Sequence, residues 1–136
     1  MCAEKNAVVR YLLDTSALIA YLGNEEGAEK VSRVRNVSSL PFIALSELYY
    51  VVWLKKDKAE ADRIYGFVKS WRMPVLSPTE KVIITAGRIK AVYKLGVANS
   101  YIAAFAHDAK VPLMTKDEDF SVLKDEIEIV WIHRKK

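Results

Sequence analysis

The chain has 136 residues, 51% of them hydrophobic and 28% charged, a balance typical of a soluble globular protein, and its length fits one domain over residues 1–136. Cys2 is the only cysteine, which excludes an intramolecular disulfide and a thiolate metal cluster. It also favours a reducing compartment, so we expect the protein in the cytoplasm. No stretch is long and apolar enough to span a bilayer, and the N-terminus is too mixed in character for a signal peptide. The formal net charge of +4 favours a polyanionic partner.

Short apolar runs alternate with helical patterns along the chain. Strands are predicted over residues 8–13, 40–43, 74–76, 111–114 and 127–132. After the polar junction at residues 14–16, a first helix is predicted over residues 17–22. Further helices are predicted over 25–37, from about residue 44, over 57–71, from residue 79 to an end at Gly96, and from Asn99, with one further turn over residues 120–123. A basic tail, residues 133–136, follows the last strand. This alternation is typical of a parallel sheet covered by helices on both faces.

Three polar residues stand at loop-to-helix junctions. Asp14 follows the first strand, Asp117 follows the fourth, and Asn99 opens a helix. Because sites in parallel α/β sheets form outside the carboxyl ends of the strands, we expect these side chains to converge. Each has a simpler interpretation, since Asp and Asn are preferred helix N-caps and are more often caps than ligands. Thr15 and Ser16 would likewise either cap the first helix, the commoner role, or donate hydrogen bonds to Asp14.

Glu47 is the one carboxylate in an apolar and aromatic run over residues 45–54. A helix that is apolar on all sides is covered by its own domain on one face and by something else on the other. Residues 43–51 contain no Lys, Arg or His, so a half-buried Glu47 must be protonated, hydrogen-bonded or neutralised by a cation from elsewhere. The alternative is that Glu47 faces solvent. Its predicted place is in or near the first turn of the helix, at the same edge of the sheet as the other three residues.

Four convergent oxygen-bearing side chains, without His or Cys, favour Mg²⁺ or Mn²⁺ over zinc. Such an ion binds a phosphodiester, lowers the pKa of a bound water and stabilises the charge that develops as the bond breaks, so that no side-chain nucleophile is required. The residues therefore predict a metal site composed of Asp14, Glu47, Asn99 and Asp117.

Four short segments form a specific pattern when they occur in this order at domain-sized spacing, although each is weak alone. They are residues 11–19 (YLLDTSALI), 45–48 (LSEL), 97–104 (VANSYIAA) and 114–120 (MTKDEDF). On these segments, which extend over nearly the whole chain, the protein resembles the PIN-domain ribonucleases, and within them the VapC toxins of VapBC toxin–antitoxin pairs.

The resemblance implies an α/β fold, a three-layer sandwich with a central parallel sheet of about four or five short strands. It also implies Mg²⁺- or Mn²⁺-dependent endoribonuclease activity on RNA, a homodimer, and a VapB-like antitoxin that occludes the site. By position Asp14, Glu47 and Asp117 would be the metal-binding acids, while Asn99 stands where the family usually has aspartate. Asparagine keeps an oxygen ligand but lacks one negative charge, which argues against two bound ions and full activity. Asp119 would substitute only if the backbone turned it inward, and we expect it to be solvated.

Two other functions fit the sequence. One is a catalytically weakened PIN domain that binds RNA or a protein partner. The other is a phospho-accepting receiver domain, which is also a parallel α/β sheet with acidic residues at strand ends. A receiver needs an acidic pair before its phospho-accepting aspartate, and here the first strand ends in a lone Asp14, which argues against it.

Basic side chains near the metal site are the candidates for RNA contacts, although each is also explained as ordinary solvated charge. They are Lys116, the lysines at positions 55, 56 and 58, and the tail over residues 133–136. A homodimer is expected from the apolar surface of the Glu47 helix, which carries Tyr49, Tyr50 and Trp53.

Overall fold

The computed structural model describes residues 8–134, so Cys2 and the last two residues of the basic tail, Lys135 and Lys136, lie outside the described part. Its strands are β1 (Tyr11–Leu13), β2 (Ser38–Pro41), β3 (Val75–Leu76), β4 (Leu113–Thr115) and β5 (Ile129–Trp131). They form one five-stranded sheet in the order β3-β2-β1-β4-β5, and every neighbouring pair is parallel.

Helices connect the strands over most of residues 8–134. They are α1 (Thr15–Leu22), α2 (Ala28–Val34), α3 (Phe42–Lys55), α4 (Lys58–Ser70), α5 (Glu80–Tyr93) and α6 (Val97–Ala109), with 3₁₀ turns at Arg35–Val37 and Glu118–Leu123. Side-chain caps fix several of their starts: Asp57 accepts the Glu60 N–H before α4, and Thr79 accepts the Val82 N–H before α5. Within the described residues, no helix has the length and apolar character needed to cross a membrane.

Helices cover both faces of the sheet, which is why β1 is a continuous apolar run. Its successive residues Leu12 and Leu13 point to opposite faces, and both are fully buried. Leu12 packs in a core with residues of α5 and α6. Leu13 packs in a second core with residues of α1, α2, α3 and α4. The molecule therefore has three layers, and the predicted α/β class with a central parallel sheet is confirmed.

Several elements begin or end at other residues than predicted, because the backbone changes conformation there. α2 starts three residues later, after Gly27, whose φ is 97°. Pro41 has an extended backbone (φ −74°, ψ 145°) and is the N-cap of α3. As a result, β2 ends and α3 begins two residues earlier in the chain than predicted. Lys94 ends α5 in a left-handed conformation with φ 61°, and Gly96, which we expected to end that helix, is the N-cap of α6. The strands other than β2 are also shorter than the apolar runs that predicted them.

Candidate functional site

The candidate site lies at the carboxyl edge of the sheet, where the neighbouring strands β1 and β4 end together. Leu13 of β1 is paired with Met114 of β4. The Asp14 N–H donates to the Met114 carbonyl at 3.2 Å. Asp14 is thus the first residue beyond β1, and Asp117 is the second residue beyond β4. The two junctions lie side by side.

Asp14 is buried, with 2% of its surface exposed, and protein donors surround its carboxylate. Oδ1 accepts hydrogen bonds from the Ala17 N–H at 2.8 Å and the Ser16 hydroxyl at 2.7 Å, and Oδ2 accepts one from the Thr115 hydroxyl at 2.6 Å. The bond from Ala17 makes Asp14 the N-cap of α1. Burial raises the pKa of the Asp14 carboxyl from 3.8 to about 6, against the opposing effect of the three hydrogen bonds, and the charge of Asp117 adds to the rise. Asp14 is therefore both a helix cap and a carboxylate whose ionised form is poorly stabilised.

Thr115, the last residue of β4, links the two junctions. Its buried hydroxyl donates to Asp14 and accepts a hydrogen bond from the Asp117 N–H at 2.9 Å. Ser16 belongs to the same network, since its hydroxyl donates to Asp14 and accepts the Lys116 N–H at 3.0 Å. The sequence interpretation did not single out Thr115. The available signal was a short apolar strand that ends in a hydroxyl residue just before an acidic turn.

Glu47 lies in the second turn of α3 rather than the first, because the helix begins at Phe42. It is half-buried, and its Oε1 accepts a hydrogen bond from the Thr15 hydroxyl at 2.5 Å. Thr15 is therefore not the cap of α1, the role we considered commoner for it. Instead it ties the start of α1 to α3, directly beside Asp14. Of the three states expected for a half-buried Glu47, the structure shows the hydrogen-bonded one, with Thr15 as the donor.

Asn99 and Asp117 contact each other, with the Asn99 Nδ2 donating to Asp117 Oδ2 at 3.3 Å. Asn99 lies in the first turn of α6, which begins at Val97, so it is not the helix cap that the sequence allowed. Asp117 does cap a turn, because it accepts the Asp119 N–H at 3.0 Å at the start of the second 3₁₀ turn. The side chain of Asp119 is exposed, as expected.

Two hydrogen-bonded pairs thus flank Asp14. Glu47 reaches it through the adjacent Thr15, and Asp117, with Asn99, reaches it through Thr115. The structure therefore brings all four predicted residues into one hydrogen-bonded region, which we call the Asp14 network.

The donor set of the Asp14 network fits a hard divalent cation. It contains three carboxylates and one amide oxygen, and the charge of Asp117 is near enough to raise the pKa of Asp14. Over residues 8–134, no group of three or more His, Cys, Asp and Glu side chains is close enough to hold a metal ion as it stands. The carboxylates would therefore have to move closer to one another to bind an ion. Glu47 would turn from Thr15, or Asp117 from Asn99.

Known proteins share a sequence pattern and the fold of this chain. Residues 11–126 match the sequence model of the PIN domain. No curated protein sequence matches the chain significantly. Among solved structures, the chain is similar to VapBC-1 from nontypeable Haemophilus influenzae, with a TM-score of 0.72 and 22% identity over 91% of this chain and 98% of the other.

Two further solved structures are similar to the chain at low identity. DNA-bound VapBC from Salmonella typhimurium gives a TM-score of 0.73 and 19% identity over 93% of this chain and 100% of the other. FitAcB from Neisseria gonorrhoeae gives a TM-score of 0.65 and 19% identity over 88% of this chain and 95% of the other. These structures share the fold, and the sequence model covers most of the chain. The chain therefore belongs to the PIN domain family.

Proposed function

We propose that the protein is a metal-dependent endoribonuclease that hydrolyses RNA phosphodiester bonds, acts in the cytoplasm, and is the toxin of a toxin–antitoxin pair. PIN domains are generally nucleases, and this chain is a PIN domain. The observation that carries the proposal is the Asp14 network, at the edge where parallel sheets form their sites. There the buried Asp14 carboxylate is linked to Asp117 through Thr115, and Glu47 is hydrogen-bonded to Thr15, the residue next to Asp14.

A bound Mg²⁺ or Mn²⁺ supplies a water of lowered pKa and neutralises charge on the phosphate as the bond breaks. The carboxylates of Asp14, Glu47 and Asp117 and the amide oxygen of Asn99 would hold this ion. Thr115 orients Asp14 by donating to Oδ2, while its own position is fixed by β4. Because the donors to the Asp14 carboxylate belong to the first turn of α1 and the end of β4, these rigid elements rather than a loop determine where it points.

The test compares two aspartates that cap turns, one in the network and one remote from it. Asp117 accepts the N–H of Asp119, and Asp57 accepts that of Glu60. Asparagine caps about as well as aspartate, so either substitution removes a charge at little expense in stability. With Mn²⁺, wild type and Asp57→Asn should cleave a fluorogenic RNA, Asp117→Asn should not, and EDTA should stop cleavage. A wild-type rate for Asp117→Asn would contradict the proposal.

One observation favours a second function, a PIN domain of weak or absent activity that binds RNA or a partner. Asn99 donates to Asp117 and so occupies an oxygen that an ion would use, while adding no negative charge. Under this second function the protein would hold at most one ion tightly and would cleave RNA slowly or not at all. Asn99→Asp would replace this hydrogen bond by two like charges, so it should tighten Mn²⁺ binding and raise the cleavage rate together. Calorimetric titration and the RNA assay measure both. Equal metal affinity and equal rates would remove Asn99 from the site.

For a protein partner we propose a VapB-like antitoxin that occludes the site. The similar structures include toxin–antitoxin complexes. An apolar groove of about 300 Å³ between α1, α3 and α4 offers a docking surface, with Ile19, Leu48 and Val52 among its lining. Coexpression with a small DNA-binding protein encoded next to this gene should give a stable, inactive complex. Full inhibition of a Val52→Lys variant would place the antitoxin elsewhere.

We also propose a homodimer. On α3, Tyr50, Trp53 and Leu54 are exposed by 51%, 45% and 79%, which is a larger apolar surface than a monomer needs. A second exposed apolar surface on α5 includes Ile83 and Ile84. Sedimentation at micromolar concentration should show a dimer for wild type and a 15.4 kDa species for Leu54→Lys. If Ile84→Lys gives the monomer and Leu54→Lys does not, the interface lies on α5 instead. A monomeric wild type would refute the dimer.

A further inference from the structure

A second cluster of polar side chains lies at the carboxyl edge of the sheet, one strand away from the Asp14 network. β5 pairs with β4, and just beyond β5 the Ile132 N–H donates to the Thr115 carbonyl at 3.0 Å. The residues that follow the two strands are therefore neighbours, with Lys116 after β4, and His133 and Arg134 after β5. The β5 pocket, an open cavity of about 660 Å³, is lined by Glu26, Lys116, Glu118, His133 and Arg134.

Each basic side chain of the β5 pocket is paired with an acid. The pairs are Lys116 with Glu25 at 2.9 Å, His133 with Glu26 at 3.5 Å, and Arg134 with Glu118 through two hydrogen bonds at 3.1 and 3.2 Å. All three pairs are at the surface, with between 27% and 78% of each side chain exposed. Exposed ion pairs add little to stability, so stability does not explain why the Lys116 and Arg134 pairs lie in one pocket beside the His133 contact.

Gly27 holds the loop that carries two of these acids over the pocket. Its φ is 97°, and a Cβ at this position would lie 2.8 Å from Ile132 Cγ1 and 2.9 Å from the Ile132 carbonyl oxygen. Only glycine allows so close an approach at this φ. The loop before α2 therefore packs directly on the residue that follows β5. Its glutamates, Glu25 and Glu26, reach the basic side chains as a result.

We propose that the β5 pocket binds backbone phosphates of the RNA beside the scissile bond, and that the glutamates paired with Lys116 and Arg134 occupy these two cationic groups until phosphates replace them. This inference rests on the proposed ribonuclease function, which it extends from the cleaved phosphate to its neighbours. Arg134 now holds the Glu118 carboxylate with two N–H groups, and the same planar fork matches two oxygens of a phosphate. Lys116 binds a phosphate as a point charge.

The position of the β5 pocket favours RNA that already lies across the Asp14 network. Since β4 separates β1 from β5, and parallel strands are about 4.8 Å apart, the pocket is roughly 10 Å from β1, which Asp14 follows directly. That distance is within reach of the neighbouring nucleotides. The Arg134 guanidinium lies 4.3 Å from the centre of the Trp131 ring, so a move of Arg134 to a phosphate leaves an aromatic face on which an unpaired base stacks.

The other lysines considered for RNA contacts have a different environment. Lys55 and Lys56 are at the far end of α3, about 12 Å along the helix from Glu47 at 1.5 Å per residue. Both line the apolar groove between α1, α3 and α4. We therefore assign the phosphate contacts to the β5 pocket.

The test measures binding of a short fluorescein-labelled single-stranded RNA to the full chain by fluorescence anisotropy, in EDTA so that no cleavage occurs. Arg134→Gln should weaken RNA binding about five-fold at about 0.1 M salt. It should also reduce the slope of the logarithm of the association constant against the logarithm of the salt concentration by about 0.7, the value for one phosphate contact on a single strand. Arg63→Gln is the matched control, because Arg63 also makes a bidentate salt bridge, in this case with Glu60 on α4. It should leave affinity and slope unchanged.

The acids of the pocket should act in the opposite direction. Glu118→Gln leaves Arg134 without its competing carboxylate, so the RNA should bind more tightly than to wild type. Glu60→Gln changes the net charge by the same amount away from the pocket and should have no effect. Equal effects of Arg134→Gln and Arg63→Gln would overturn the β5 pocket as a phosphate site. Unchanged or weaker binding by Glu118→Gln would overturn the competition.

A parallel cleavage assay in Mn²⁺ separates failure of this inference from failure of the proposed function. If wild type and Arg134→Gln cleave RNA with equal kcat/KM, the enzyme is established and the pocket is not its RNA site. If RNA binds through Arg134 but no variant cleaves it, the pocket stands and the nuclease does not. If Arg134→Gln weakens an antitoxin complex and leaves RNA binding unchanged, the pocket is a protein surface and the inference is wrong.

Discussion

Replacing Asp14 by asparagine should stabilise the metal-free protein at neutral pH. The Asp14 carboxyl has a pKa of about 6 in the folded protein and 3.8 as its ordinary value, so the folded state binds the proton more tightly than the unfolded state does. The stability that protonation provides is fully present below about pH 3.8 and is lost as the pH rises through about 6. A difference of about two pKa units corresponds to about 3 kcal/mol. Asparagine is never ionised and avoids this loss.

The shape of the site should survive this substitution, because an asparagine oxygen still accepts the Ala17 N–H at the start of α1. Urea unfolding in EDTA at a series of pH values measures the effect. We expect Asp14→Asn to exceed wild type by up to about 3 kcal/mol near pH 7.5, or roughly 10 °C in Tm, and to match it near pH 3.5. Mn²⁺ should reverse the order, since only wild type gains stability from binding an ion.

Asp57→Asn is the control for the metal dependence, because Asp57 caps α4 away from the site, and its effect on stability should be the same in Mn²⁺ and in EDTA. A difference between Asp14→Asn and wild type that is the same at every pH would refute the reasoning from burial. So would lower stability of Asp14→Asn at pH 7.5 in EDTA.

Three further predictions concern other residues. Glu47→Gln should keep the fold, because the amide oxygen still accepts the hydrogen bond from Thr15. The variant should lose Mn²⁺-dependent cleavage. Wild-type activity of this variant would show that Glu47 is only a polar surface residue of its helix. Glu126→Gln should lower the free energy of unfolding by about 1–2 kcal/mol at neutral pH, because the Arg88 guanidinium holds the pKa of Glu126 near 2. In a denaturation series, this difference from wild type should vanish as the pH falls from about 4.5 through about 2. Gly27→Ala should destabilise by about 1–3 kcal/mol in urea unfolding, since its Cβ meets Ile132; an unchanged midpoint would contradict the close packing.

The sequence predicted those parts of the fold and site that depend on local pattern. The abrupt change from apolar to acidic residues after Leu13 predicted the Asp14 junction, since a buried strand and a helix cap are both local features. The hydrogen bond from Thr15 to Glu47 was not predictable in this way, because it joins residues 32 positions apart whose approach depends on how α1 packs on α3. The role of Thr115 depends similarly on the strand order, which places β4 beside β1.

Backbone conformation explains the remaining errors. Asn99 was expected to be a helix cap or a ligand, because Asn is common in both roles. The extended backbone of Gly96 takes the cap position, so Asn99 lies inside the helix and its amide is free to contact Asp117. Residues 25–37 have a charged and apolar pattern that fits one helix, but the positive φ of Gly27 separates Glu25 and Glu26 from it. A glycine between helix formers does not by itself indicate which φ it adopts.

The bond from Thr115 to Asp14 spans 101 residues, which determines when the site exists during translation. A ribosome adds roughly 5–20 residues per second, so Asp14 leaves it roughly 5–20 s before its partner does. Until β4 is synthesised, β1 lacks one of its two neighbours and the Asp14 carboxylate lacks a donor to Oδ2. Incomplete nascent chains therefore carry no assembled site before Asp117 has left the ribosome, and the proposed ribonuclease could not attack the messenger RNA that encodes it until then.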